Sequence, residues 1–390
     1  MKWIYALFVF LIADSCKKPF IPQAISSDNN RYLVIEGVVN SGNDSTFIKL
    51  SRTQKIDTTH TVSPEINANV TIESNAGANY KLAEITAGTY AAPPLNLDAT
   101  RKYRLHIKTS GNKEYISDYV VVKNSPPIDS VGFVAASTGV QVYVNTHDAT
   151  NSTRYYRWDY AEDWQFHAKY PSTYYSNGVD SLKARTVSQQ VYDCFAHDES
   201  SSVTLTSTTK LTQDNVYQAP ITTIPSTSEK IETKYSILVK QFALTSDAYS
   251  FWLNLQTNTE KLGSIFDVLP SENRSNFHCV TVPGELVVGY FSVGSIATKR
   301  IFITAAQLLK SYSPVYPAGC QIDTVFDNPP HPHTLPFSVL IPPNSPYVVL
   351  LGLYLPPANP FGKPTAYSYT TRICGDCTIR GSTKQPAFWK

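Results

Sequence analysis

Residues 102–109 read KYRLHIKT, and the alternation in that run decides the fold class. On an extended backbone Tyr103, Leu105 and Ile107 point one way and Arg104, His106 and Lys108 the other, which is a strand with one dry face and one wet face. Similar β-rich runs surround it: YLVIEGVVN (32–40), TFIKLSR (46–52), ANVTIES (68–74), YKLAEI (80–85) and EYISDYVVV (114–122). Between them Gly42-Asn43-Asp44, Asn75-Ala76-Gly77 and Ser110-Gly111-Asn112 supply the positive-φ and side-chain-capped residues that hairpins need. The spacing predicts a small β-sandwich of immunoglobulin or transthyretin type over residues 32–124. Ser125-Pro126-Pro127 breaks the pattern, and a larger β-rich domain is expected over 128–390.

That second stretch carries GVQVYVNT (139–146), RYYRWDYAEDW (154–164), YSILVKQFAL (235–244), ELVVGYFSV (285–293) and YVVLLGLYL (347–355). One segment has helical spacing instead. Ala248, Phe251, Trp252, Leu255 and Leu262 recur on one face after Thr245 or Ser246 as N-cap, with Asp247 at the positive end, and predict a helix over 246–262. Thr304–Leu309 suits a second short helical turn, and the Pro-rich pieces at 328–336 and 356–364 read as surface loops.

The chain is 390 residues long, enough for two or three domains with a sizeable core. Its 33 Lys and Arg nearly balance 31 Asp and Glu, so no general electrostatic drive toward nucleic acid exists. Only 16% of residues are charged, with Tyr, Pro, Ser, Thr and Asn abundant instead, a β-rich and exported composition. Residues 1–15 read as a signal peptide: Met1-Lys2, then the apolar run Trp3–Ala13, then Asp14-Ser15 before Cys16. As a helix that run rises only about 17 Å, short of the ~30 Å hydrocarbon core, so it does not span a membrane. Ala13-x-Ser15 suits an ordinary signal peptidase, while small residues directly before a Cys suit lipoprotein processing; the second reading is preferred, with Cys16 lipidated. Residues 16–31 then form a polar tether holding the folded chain at the outer membrane, on either its periplasmic or its cell-surface face.

Five further cysteines, Cys194, Cys279, Cys320, Cys374 and Cys377, suit disulfides in an oxidising compartment with one thiol left over. Their connectivity is open, and Cys374-Gly-Asp-Cys377 lacks the partner pair of a zinc ribbon and the βαβ context of a redox motif. No nucleophile elbow, P-loop, His-Glu-x-x-His or dinucleotide fingerprint appears, so no catalytic residue, cofactor or metal is expected. Asp159, Glu162 and Asp163 read as a solvated rim rather than a glycosidase pair. His331 and His333, with Asp327 nearby, make only a weak metal site. Within 154–164 Tyr156, Trp158, Tyr160 and Trp164 share one strand face, with Arg157, Asp159 and Asp163 on the other; core packing is the main reading of the stripe and a stacking platform the second. In the following loop, His167–Val179, Tyr170, Tyr174 and Tyr175 lie among Pro, Ser, Asn and Gly, where burial is hard to arrange. Tyr170, Tyr174, Tyr175 and Trp164 are therefore the candidate contacts for a small nutrient, glycan or peptide ligand, or for a protein partner.

Cys16, the opening Tyr32-Leu-Val-Ile-Glu-Gly37, Tyr155-Tyr-Arg-Trp158, Leu286-Val-Val-Gly-Tyr-Phe-Ser292, Cys374-Gly-Asp-Cys377 and Phe388-Trp389 together resemble the lipoproteins grouped as domain-of-unknown-function family 4249. The resemblance implies an outer-membrane lipoprotein of bacteria rich in TonB-dependent receptors, its gene often beside one of them, and it carries no catalytic residue over. The function expected is a non-enzymatic accessory of a TonB-dependent transporter in nutrient uptake. A structural or adhesive surface protein is the alternative, and a surface hydrolase ranks last.

Overall fold

In the computed structural model the described residues are 31–54, 62–178, 181–260, 275–326, 337–340, 342, 344–353 and 364–389. The expected signal peptide, Cys16 and the expected tether before Arg31, Leu262 of the expected helix, the Pro-rich piece at 328–336 and nearly all of that at 356–364, and the group Asp327, His331 and His333 lie outside them. The chain is mainly β with sandwich-like sheets, as expected, and falls into three sheet systems.

In the first, the 102–109 run forms the strand Lys102–Lys108, with Tyr103, Leu105 and Ile107 buried as the alternation requires. Strand order runs Phe277–Cys279, Glu114–Ser117, Lys102–Lys108, Asn69–Ser74, Asn79–Thr86, Thr89–Ala92, Thr46–Arg52, Leu33–Asn40, Val287–Val288. Both ends of that path belong to one late segment. The expected boundary, which assigned 128–390 wholly to a second domain, is therefore corrected: Phe277–Gly294 is built into the first unit. Leu33 and Val34 pair in parallel with Val287 and Val288, Val39 and Asn40 with Val293 and Gly294, and Phe277–Cys279 pairs with Tyr115–Ser117. The physical reason is the edge problem, since open strands at 33–40 and 114–117 would leave rows of unpaired amides. Asn276 ties the seam, its side chain donating to the Phe291 carbonyl (3.0 Å) and accepting from the Phe291 N–H (2.8 Å). Gly289 allows the closest approach, because at φ +131° a Cβ there would stand 2.2 Å from the Ile35 carbonyl oxygen. One core results, from Leu33, Ile48, Val70, Leu105 and Tyr115 to Phe277, Phe291 and Val293.

The second system packs the sheet of Ile128–Ala136, Gly139–Asp148 and Asp214–Pro225 against a sheet centred on Tyr155–His167, flanked by Asp193–Glu199 and Lys234–Ala243 with Ile296–Thr304 outermost. Tyr156, Trp158 and Phe166 fill the interface with Val140, Val142, Val144, Ile237 and Val239. Gln241, also fully buried, accepts from Trp158 Nε1 (3.0 Å) and donates to the Pro126 carbonyl (2.8 Å) and Thr146 Oγ1 (3.1 Å), so its amide is satisfied inside the core. The helix is present over Ser246–Glu260, opened by Thr245 Oγ1 accepting from the Ala248 N–H, and it buries Ala248 against Phe242 and Leu244 and Phe251 beside Tyr290 (5.2 Å). The second helical turn is the 3₁₀ helix Ala305–Gln307.

The third system is small: Asp323–Phe326, Ala366–Thr371 and Tyr347–Leu353 over a core of Val325, Leu340, Val349, Tyr367 and Tyr369. Disulfides brace it. Cys320 is bonded to Cys374 and Cys194 to Cys377, so the two cysteines of the CxxC run are bridged to distant partners rather than to each other; Cys279 is a free thiol, buried in the first core. The tail then returns across the second system. Phe195 and Ser382 exchange backbone hydrogen bonds, and Trp389 stands edge-on to Phe195 and Phe302.

A candidate binding cleft braced by a disulfide

The carboxylates of the 154–164 run are not a solvated rim. Glu162 and Asp163 are buried, and only Asp159 of the three is substantially exposed. Glu162 accepts from Tyr235 Oη (2.6 Å) and pairs with Lys230, while Asp163 accepts from His197 Nδ1 (2.8 Å) and Arg300 Nη1 (3.0 Å). Burial alone would lower the Lys230 pKa, and the bonds from Glu162 outweigh it and raise it. Arg157, on the supposed wet face, is buried between the rings of Phe242 (4.4 Å) and Trp252 (4.1 Å); burial lowers its pKa against the single ion pair to Asp159. Glu162 shares strand parity with the aromatic stripe, and its partners lie 68 and 73 residues away, beyond any local pattern. Trp164 is also buried, under the Lys230 ammonium at 4.8 Å, so it is a core residue and not a contact surface.

The tyrosine loop behaves differently from an open loop. Tyr170 donates its N–H to the Cys374 carbonyl (3.1 Å) and its hydroxyl to that of Cys320 (3.2 Å), which hooks it to both halves of one disulfide. Ser172 Oγ donates to the Val349 carbonyl (2.6 Å), and the Thr173 N–H and hydroxyl donate to that of Leu350 (2.8 and 2.5 Å). Tyr174–Ser176 then pairs with Leu182–Ala184 as a short hairpin. Tyr174 is half-buried edge-on against Tyr367 (5.4 Å), so its ring serves the small third core.

Tyr175 faces elsewhere. With Ser176, Arg185, Ser345, Tyr347, Arg372 and Asp376 it lines a cleft of about 130 Å³ between the hairpin and the strand Tyr347–Leu353. Arg185 stands 5.8 Å from the Tyr175 ring, donating from Nε to Ser172 Oγ (3.1 Å) and from Nη1 to the Gln189 carbonyl (3.0 Å). Its pKa is held down first by burial and further by Arg372, with Asp376 and Tyr175 acting in the opposite sense. Arg372 Nε pairs with Asp376 Oδ2 (2.9 Å), while Asp376 Oδ1 accepts from the Thr378 N–H and hydroxyl (2.9 and 2.5 Å). Of the sequence candidates, then, Tyr175 lines the cleft, Tyr170 and Tyr174 hold its wall in place, and Trp164 is remote in the second core. Arg185 and Arg372 were not singled out by the sequence. Arg372 stands two residues before Cys374, and only the disulfide frame brings it beside the hairpin.

A larger open hollow of about 410 Å³ lies at the start of the first unit among Arg31, Arg52, Glu65 and Lys113. Arg52 is committed to Glu65 (2.6 Å) and Lys113 to Glu285 (2.5 Å), and the hollow lies wide open to solvent, so the smaller and more enclosed cleft is the better candidate. Among the described residues no group of three His, Cys, Asp or Glu could hold a metal ion. No described helix is long and apolar enough to cross a membrane.

No curated protein matches the chain. Among solved structures it is similar to a two-domain fibronectin type III segment of chicken tenascin, at 10% identity and a TM-score of 0.16, covering 55% of this chain and 91% of that one. The family model described as "Domain of unknown function (DUF4249)" matches residues 17–300, from just after Cys16 into the strand Ile296–Thr304, and the chain belongs to that family.

Proposed function

We propose that the protein is a non-enzymatic, lipid-anchored accessory of the outer membrane that captures a small ligand for a TonB-dependent transporter. The observation that carries this reading is the cleft beside Tyr175, where half-buried aromatic and polar side chains line a hollow whose walls are fixed by the Cys320–Cys374 disulfide. A pre-formed wall spares the ligand the entropy of ordering a loop. Acylation of Cys16 supplies about 0.8 kcal/mol of membrane affinity per buried methylene, and anchoring two partners in one membrane raises their effective concentration, so a weak polar interface suffices.

Two measurements on native membranes test the reading. Solubilised in mild detergent, the protein should co-purify with a barrel protein, and consistent purification without one contradicts the accessory role. Thiol titration of the denatured, unreduced protein should count one thiol, Cys279. A second thiol would mean that Cys16 is not acylated.

A further inference from the structure

We infer that the cleft binds an oxyanion, a carboxylate or phosphate group carried by a small ligand, between the guanidinium groups of Arg185 and Arg372. This rests on the cleft being the ligand site proposed above, and it names the chemistry of the group received there.

Charge is the first argument. Among the described residues Arg185, Arg372 and Asp376 are the charged side chains lining the hollow, one positive charge in excess. Asp376 is committed, one oxygen to Arg372 and the other to Thr378. Arg185 forms no ion pair among the described residues; its partners there are a hydroxyl, a backbone carbonyl and the Tyr175 ring. Burial still penalises the charged form of Arg185 more than Asp376 favours it, so a half-buried guanidinium with no direct ion pair stands where a bound anion would add the charge partner it lacks.

Donor geometry is the second. A guanidinium carries five N–H donors in a planar fork suited to carboxylate or phosphate. Arg185 commits its Nε and one bond from Nη1 to the protein, and Arg372 only its Nε. Among the described residues the remaining Nη donors of both have no partner, which leaves them to a ligand. Size is the third: at ~30 Å³ per water, 130 Å³ is the space of about four waters, enough for one oxyanion head with the rest of the ligand lying outward along Tyr175.

Calorimetric titration of the full chain in neutral detergent at low salt tests this, with sodium phosphate and N-acetylglycine as probes and sodium chloride as the control. At least one probe should give saturable binding that chloride does not. Arg185→Met and Arg372→Met should each weaken it tenfold or more, and Asp376→Asn, which frees Arg372, should strengthen it about threefold, a gain that misfolding cannot produce. Phosphate binding alone identifies a phosphoryl ligand, N-acetylglycine alone a carboxylate, and either supports the inference. Binding of neither probe overturns it, as does binding indifferent to all three substitutions. If the anions fail while the barrel co-purifies, the ligand class is wrong and the accessory role stands; the converse result separates the two in the other direction.

Discussion

The sheet that begins at Leu33 closes without a covalent bond across it, on a core drawn from more than a dozen buried side chains, whereas the sheet around Ala366–Thr371 closes on five buried residues and is bracketed by Cys320–Cys374, with Cys194–Cys377 fastening the tail beyond it to the second core. The first has apolar area to spare and solves its edge problem with late strands and one buried asparagine. The second has little area, the situation in which small units need staples. The candidate cleft sits in the stapled unit. Binding geometry there depends on sulfur chemistry, while the larger unit depends on shape.

The largest expected effect follows from that contrast. Cys194–Cys377 closes a loop of 183 residues and Cys320–Cys374 one of 54, for which chain entropy predicts about 5 and about 4 kcal/mol respectively. Reduction, or a Cys320→Ala/Cys374→Ala double variant, should abolish hydrogen-exchange protection around 347–371 and leave it intact at 33–39 and 102–108. Equal loss in both regions would show that the two units unfold as one.

A smaller effect should appear at the seam of the first unit. Gly289→Val places side-chain atoms against the Ile35 carbonyl at a positive φ, and should cost about 2–3 kcal/mol in denaturant unfolding. Protection at 33–39 should fall while the third sheet is spared, and an unchanged midpoint would mean that the late strands are dispensable.

The smallest effect is a pH dependence at the same seam. Burial alone would raise the Glu285 pKa, but bonds from Lys113 (2.5 Å) and Tyr115 Oη (2.6 Å), with Arg52 nearby, outweigh it and hold the carboxyl below its ordinary value. A depressed carboxyl contributes stability that is present above the unfolded value of about 4.5 and is lost as pH falls through the folded one. The melting temperature should drop below about pH 4.5 in the native chain, and Glu285→Gln should be less stable near neutrality and flatter in acid. Parallel curves would assign the acid response to other carboxylates.

How much of this could be read beforehand depends on the distance over which each feature is encoded. The strand at 102–108 and the helix at 246–260 declare themselves within their own residues, through periods of 2 and 3.6. The ELVVGYFSV run, by contrast, reads as one strand and is two short pieces, Val287–Val288 and Val293–Gly294, because Leu33–Asn40 recruits each of them separately. Glu162 and Asp163 look solvated until Tyr235, His197 and Arg300 are brought to them by cross-strand register and Lys230 by the 3₁₀ turn Glu229–Ile231. The cleft was half legible. Tyr175 stood out because polar neighbours surround it, but Arg185 and Arg372 acquire meaning only once the disulfide frame has placed them opposite it.

The borrowed strands also fix an order of events during synthesis. A nascent chain emerging as far as residue 122 has made nearly all of its first unit but neither of the strands that flank it, and at 5–20 residues per second it waits roughly 10–30 s for residue 294. The part made first is thus complete only after nearly all of the second system's strands have emerged. The leading module cannot lock before residue 294 of the 390 has been made.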